Sequence, residues 1–305
     1  MIAWRAYWFA PAPYLDLAVV RIIAVATQLW ILLDRTHLHL ASMTLGDGYW
    51  DPVVVQRILN ALIGLSGRPS DALVTGVYGC ALIAGAAALI GLATNVSLAV
   101  FAVATTYVFS FLYSFGDSHH REAVMVIALG ALAVSPSGHR LSVDSWLLRR
   151  SGRARTGETS EFAGWPLKLI GWWFVLMYLS AVVGKLVHGG LDWANGYTLQ
   201  YYLARDGIRH GRELGVWLSQ FHDLVWLMQI GVLLFQATFV LAMLYPRSRW
   251  FYVPAGLLLH IGIFVLMKAA FWPWIALYAV FVPWSEAVRR GRRILGDVRS
   301  PEPAT

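Results

Sequence analysis

Apolar residues in this chain come in runs of membrane length, separated by short polar segments. A bilayer core is crossed by about 20 mostly apolar helical residues, and clear runs of that kind occupy 14–33, 72–92, 95–113, 167–186 and 224–245. Weaker ones occupy 123–136, 252–267 and 271–282. Pro273 and Pro283 bracket the last of these, which predicts a tilted or re-entrant hairpin for the final pair. The pattern predicts an all-α, polytopic membrane helix bundle with about eight spans. Small residues Ala24-Val25-Ala26 resemble a signal cleavage site, but Arg21 interrupts the run and apolar character continues to Leu33. The first run is therefore expected to be retained as a span. Residues 53–65 keep Gln56, Arg57 and Asn60 on one side, the pattern of a helix lying in the interface. No repeat and no linker divides the chain, so 1–295 is expected to form one transmembrane domain and 296–305 a disordered tail.

Composition sharpens this picture. With 58% hydrophobic and 13% charged residues, there is too little polar surface to coat a water-soluble globule, so a lipid bilayer is the expected surrounding. Fifteen Trp, 13 Tyr and 14 Phe suit the boundary between lipid and headgroups. A single cysteine, Cys80, excludes a disulfide framework and a CxxC motif, and no HExxH motif points to a metal.

The net charge of +7 does not point to nucleic acid, because the arginines cluster in short segments between apolar runs. Arg140, Arg149, Arg150, Arg153 and Arg155 share one segment, Arg247 and Arg249 a second, and Arg289, Arg290, Arg292 and Arg293 the tail. Placing all three on the cytoplasmic side requires both termini inside and an even number of spans. Segments 34–71, 114–122 and 187–223 then face out, and candidate chemistry is expected there.

Lys185 ends the fifth run and is followed by His188, Gly189, Gly190, Asp192 and Trp193. It admits two readings: an ammonium that snorkels to headgroups, or a lysine walled in by apolar side chains that accepts a proton. His119 and His120 stand side by side at the outer mouth of the fourth run. Adjacent residues face different ways on a helix, so ordinary hydrogen-bonding histidines are favoured over a metal pair. Arg21 lies about two turns inside the first run, where a charge is kept when it pairs or lines a polar cavity. Snorkelling, or pairing with Asp16, competes with that role. His260, inside the seventh run, is read as a core residue ahead of a functional group.

Four patches in order carry a family resemblance. They are Asp16-Leu17-Ala18-Val19 with Arg21; Leu89-Ile90-Gly91-Leu92; the His120 region running to Leu141-Ser142-Val143-Asp144; and Gly184-Lys185-Leu186 with Asp192-Trp193-Ala194-Asn195-Gly196-Tyr197-Thr198-Leu199-Gln200-Tyr201. In order and spacing the chain resembles the HTTM family, the membrane domain of vitamin K-dependent gamma-carboxylases and their bacterial relatives. The resemblance implies a multi-pass protein of the bacterial plasma membrane using a vitamin K-type reduced naphthoquinone. It implies that Lys185 removes a proton from the quinol, oxygen turns the anion into a strong base, and that base removes a γ-proton from glutamate so that CO2 adds. His120, or less directly His119, assists the quinol, and Trp193, Tyr197, Arg21 and His260 are expected around the cofactor.

The animal carboxylases continue into a large lumenal β-rich region, whereas this chain stops soon after its last run. That favours a small-molecule substrate or a part in peptide maturation over carboxylation of a protein. A non-catalytic membrane partner and a small-solute transporter remain the rivals, although no inverted halves with paired broken helices point to transport. A haem held between helices would have only His120 and His260 as its pair.

Overall fold

The computed structural model describes residues 2–116, 122–153 and 157–299, which form almost nothing but helices. Two compact units emerge: Met1–Lys168 with Val282–Thr305, and Leu169–Phe281.

The first unit contains α1 (Ile2–Trp8), α2 (Tyr14–Asp34), α3 (Thr36–Met43), α4 (Val54–Leu62), α5 (Asp71–Ile90), α6 (Thr94–Tyr113), α7 (Ala123–Ala133), α8 (Val143–Arg150) and the start of α9 (Glu161–Gly189). The final helix, α16 (Trp284–Arg299), returns to it. Pro13 holds an extended backbone ahead of α2, and the Asp16 carboxylate in the first turn accepts from the Ser285 backbone N–H at 2.6 Å. Ser70 caps α5 by accepting from Leu73 N, and Gly91 ends it in the left-handed region at φ 72°. The chain then turns directly into α6. Two-residue strands, Ala12–Pro13 and Thr159–Ser160, pair antiparallel beside the start of α2.

α4 turns two of its polar residues inward. Gln56 and Asn60 are buried, where Ser110 donates to Gln56 Oε1 at 2.6 Å and Tyr107 donates to Asn60 Oδ1 at 3.1 Å, while Arg57, expected on the same side, is exposed. Val54, Val55, Ile58 and Leu62 face outward. The reason is α6, whose buried hydroxyls need partners that α4 supplies.

The second unit continues α9 and adds α10 (Tyr197–His210), α11 (Glu213–Leu218), α12 (His222–Thr238), α13 (Leu241–Leu244), α14 (Arg249–Met267) and α15 (Trp272–Leu277), with 3-10 turns at Gly190–Ala194 and Tyr278–Phe281. The run expected as one span over 224–245 continues through α12 and α13, with Phe239 and Val240 in right-handed helical conformation and the backbone tightening to bonds from Ala242 N to Phe239 O and Met243 N to Val240 O. Thr238 turns its hydroxyl back onto Leu234 O at 2.6 Å, a bond that bends helices, and the Phe239 ring packs among Phe174, Tyr178 and Phe281.

Among the described residues five helical segments are long and apolar enough to cross a bilayer: Tyr14–Asp34, Asp71–Ile90, Thr94–Tyr113, Glu161–Ala194 and Pro246–Met267. Ala123–Ala133 and Trp272–Phe281 are shorter apolar helices. Pro166 and Pro254 sit inside α9 and α14, as membrane helices tolerate when the freed backbone groups find other partners. The chain is an all-α, polytopic membrane protein, and a lipid bilayer is its surrounding.

Candidate functional site

α9 in the second unit carries Lys185 one turn before its end. The half-buried side chain turns toward α12, where Nζ donates to Gln236 Oε1 at 2.6 Å. On its other side lies Trp193, with the ring centroid 4.8 Å from Nζ. Gly189 makes this possible, since a Cβ there would stand 3.0 Å from Trp193 Cβ, and Gly190 turns the chain at φ 57°. Lys185 Nζ thus holds an amide and an aromatic face, and no carboxylate pairs with it among the described residues.

The following segment folds back onto α12. Trp226 Nε1 donates to Ala194 O at 2.9 Å, and Leu199 N donates to Gln229 Oε1 at 2.9 Å. Tyr197 stacks on His222 with centroids 4.3 Å apart, while the outer side of its ring remains exposed. Trp193 and Tyr197 are thus brought to the same helix, but only Trp193 contacts Lys185.

His260 on α14 belongs to a buried cluster in the same unit. The Tyr178 hydroxyl bonds His260 Nε2 at 2.8 Å and the Tyr278 hydroxyl at 2.6 Å, inside rings of Phe174, Phe239 and Trp274. Tyr178 precedes Lys185 by seven residues, so both lie on one face of α9 about two turns apart. Gly256 brings α14 against the Tyr278 ring, and a Cβ would overlap its hydroxyl. Gly256→Ala is expected to lower stability by about 1–3 kcal/mol through overpacking. An unchanged thermal unfolding midpoint in detergent would mean the hydroxyl cluster is not packed this closely.

Arg21 is fully buried in the first unit. Nη1 donates to Ser137 O at 3.0 Å and Nη2 to Leu141 O at 2.5 Å. Gly91 stands beside it, since a Cβ at that residue would lie 2.8 Å from Arg21 Nη1 and 2.9 Å from Ser142 Cα. Asp144 N donates to Gly91 O at 3.0 Å, and the Asp144 carboxylate accepts from Ala93 N at 2.8 Å and Thr94 N at 2.7 Å. Three of the four sequence patches therefore form one structural joint. Neither snorkelling nor the Asp16 pairing describes Arg21, because both terminal nitrogens are committed to carbonyls of the turn between α7 and α8.

Burial alone would raise the Asp144 carboxyl, but the bonds from Thr94 and Ala93 and the Arg21 charge hold it below the ordinary carboxylate range. A depressed carboxyl contributes stability that is present above its unfolded value and lost as pH falls through the folded one. Asp144→Asn is accordingly expected to remove acid sensitivity from this joint, read as a smaller loss of thermal stability between neutral and acidic buffer than the parent shows. An equal loss would mean that Asp144 does not set the joint's pH dependence.

His119 and His120 lie outside the described residues. Next to them Glu122 is buried, forms an ion pair with Arg35 at 2.7 Å and accepts from the Tyr113 hydroxyl. Arg35 also lies over the Phe109 ring. Neither this cluster nor Gln236 stood out in the sequence. A lone polar residue in an apolar run was the available signal for Gln236, and an acidic residue at the mouth of a run for Glu122.

The fold and this lysine site define an integral membrane protein that carries a polar, aromatic-flanked amine inside an apolar helix pair. The HTTM domain model matches residues 9–286, and the chain belongs to the HTTM family. It is a membrane domain related to that of the vitamin K-dependent carboxylase. No curated protein and no solved structure gives a match.

Proposed function

We propose that this protein is a quinol-using enzyme of the bacterial plasma membrane in which Lys185 Nζ is the base. The observation that carries the reading is Lys185 Nζ held between Gln236 Oε1 and the Trp193 ring. An ion-paired lysine is held protonated by its partner, whereas a neutral amide fixes the nitrogen in place without adding a negative charge. The donor set suits a flat, neutral aromatic molecule with an acidic hydroxyl: an indole face to stack on and an amine to take the proton. A reduced naphthoquinone, when bound, supplies that hydroxyl and the electrons that O2 consumes. Lys185 Nζ accepts the hydroxyl proton, Gln236 orients the amine, and Trp193 shields it from water. Carbanion chemistry with CO2 on a peptide or small-molecule acid is the family's use of such a base, and it is the reaction class favoured here.

The functional test is oxygen uptake with a reduced naphthoquinone in lipid nanodiscs. Lys185→Ala is expected to lose at least about 100-fold in rate, within the range for general bases, with its unfolding profile unchanged. Wild-type turnover in that variant would remove Lys185 from the chemistry. Orientation is tested separately, because the site is proposed to open to the outer leaflet with the arginine-rich segment 140–155 in the cytoplasm. In a Cys80→Ala background, cysteine at Ser151 should resist an impermeant thiol reagent in intact cells and react after lysis. Labelling in intact cells would invert the topology.

A further inference from the structure

A cavity of about 360 Å³ lies in the first unit, lined by Gln28 of α2, Val55 of α4, Phe109 and Tyr113 of α6, and Glu122 and Val126 at the start of α7. Its volume falls in the range of small-molecule sites, about 300–1,000 Å³. The polar groups around it are mostly committed. Ser110 donates to Gln56, Thr106 Oγ1 to Ala102 O at 2.7 Å, and Tyr113 and Glu122 are bonded to each other and to Arg35. Gln28 is the exception. It is 2% exposed, it lines the cavity, and its Oε1 has no hydrogen-bond partner. A buried amide oxygen left unmatched is costly, and along α2 it stands about two turns deeper than the Arg35 end.

The rim explains how a ligand arrives. Val55 and Val126 are exposed there, and α4 turns Val54, Ile58 and Leu62 outward beside Val55, with Arg57 also exposed, while keeping Gln56 and Asn60 inside. In a membrane protein an outward apolar face with an inward polar one faces hydrocarbon. Such a mainly apolar rim suits entry of a ligand from lipid.

We propose that this cavity binds a lipid-soluble molecule with one hydroxyl on an apolar body, the hydroxyl bonded to the Gln28 amide. The walls of valine, alanine and phenylalanine select the apolar body. The Arg35 charge is already matched by Glu122, which favours a neutral ligand over an anionic headgroup. A hydroxyl both donates and accepts, so it satisfies the Gln28 amide in either of its two orientations, whereas an ether or a hydrocarbon does not. A phenolic ring and a terminal isoprenoid alcohol share this chemistry. The proposal does not rest on the Lys185 reading, because Lys185 lies in the other unit.

The test is equilibrium binding to the full chain in lipid nanodiscs, using two matched pairs: farnesol and its methyl ether, and 4-nonylphenol and its methyl ether. In at least one pair the hydroxylated member is expected to bind about tenfold tighter, the worth of one buried hydrogen bond. Which pair shows the preference distinguishes the isoprenoid source from the phenolic one. Gln28→Leu should abolish the preference while leaving the ligand-free unfolding midpoint unchanged or raised, because no side-chain bond of Gln28 Oε1 is lost. Val126→Trp, filling the mouth, should weaken both members of the preferred pair. Equal binding of alcohol and ether to the parent protein would overturn the proposal. So would a preference that survives Gln28→Leu, or no binding of any probe to a parent protein with a cooperative unfolding transition.

Discussion

Arg21→Met is expected to cost about 3–5 kcal/mol of stability, the range for removing one member of a buried charged network. The side chain is fully buried, so its loss strands several groups together. The Ser137 and Leu141 carbonyls lose their donor, and Asp144 loses the nearby positive charge. These groups join α2 to the turn between α7 and α8, and Asp144 joins that turn to the start of α6. Arg21→Lys should recover less than half of the loss, because one ammonium cannot reproduce a planar fork aimed at two carbonyls. Denaturant unfolding in mild detergent reads this directly. A midpoint for Arg21→Met equal to that of the parent would show the joint to be dispensable.

Lys185→Arg is expected to be as inactive in quinol-dependent oxygen uptake as Lys185→Ala. Arginine keeps the positive charge and the contacts to Gln236 and Trp193, but its guanidinium stays protonated and cannot take a proton. An anchoring lysine gives the reverse result, since arginine anchors at least as well. Gln236→Leu separates placement from charge. It should lower kcat more than it raises KM, because the amide orients the amine without holding the ring. Its unfolding profile should stay close to that of the parent. If Gln236→Leu were indistinguishable from the parent in rate, the amide would have no part in orienting the base.

The helical runs were legible because lipid imposes length and apolarity on every span. Tyr14–Asp34, Asp71–Ile90 and Thr94–Tyr113 fall within a residue or two of the runs read from the sequence. The closeness of Lys185 and Trp193 was legible too, since eight residues with Gly189-Gly190 between them can fold back by one turn. What escaped the sequence depends on contacts between distant segments. Gln236 is 51 residues from Lys185, and His260 and Tyr278 are 82 and 100 residues from Tyr178. Periodicity says which face of a helix is polar but not which helix will meet it, and so the burial of Gln56 and Asn60 against α6 was not legible in 53–65. The tightened turn after Thr238 escaped for a related reason: the apolar run continues through it, and the backbone change there leaves no mark in hydropathy.

Chemical rescue of Lys185→Ala is the most direct measurement of whether Lys185 is a base. Small alkylamines added to the variant in nanodiscs should restore quinol-dependent oxygen uptake in proportion to the free-base amine present. Equal stimulation by a quaternary ammonium of the same size, which has no proton to exchange, would contradict the account.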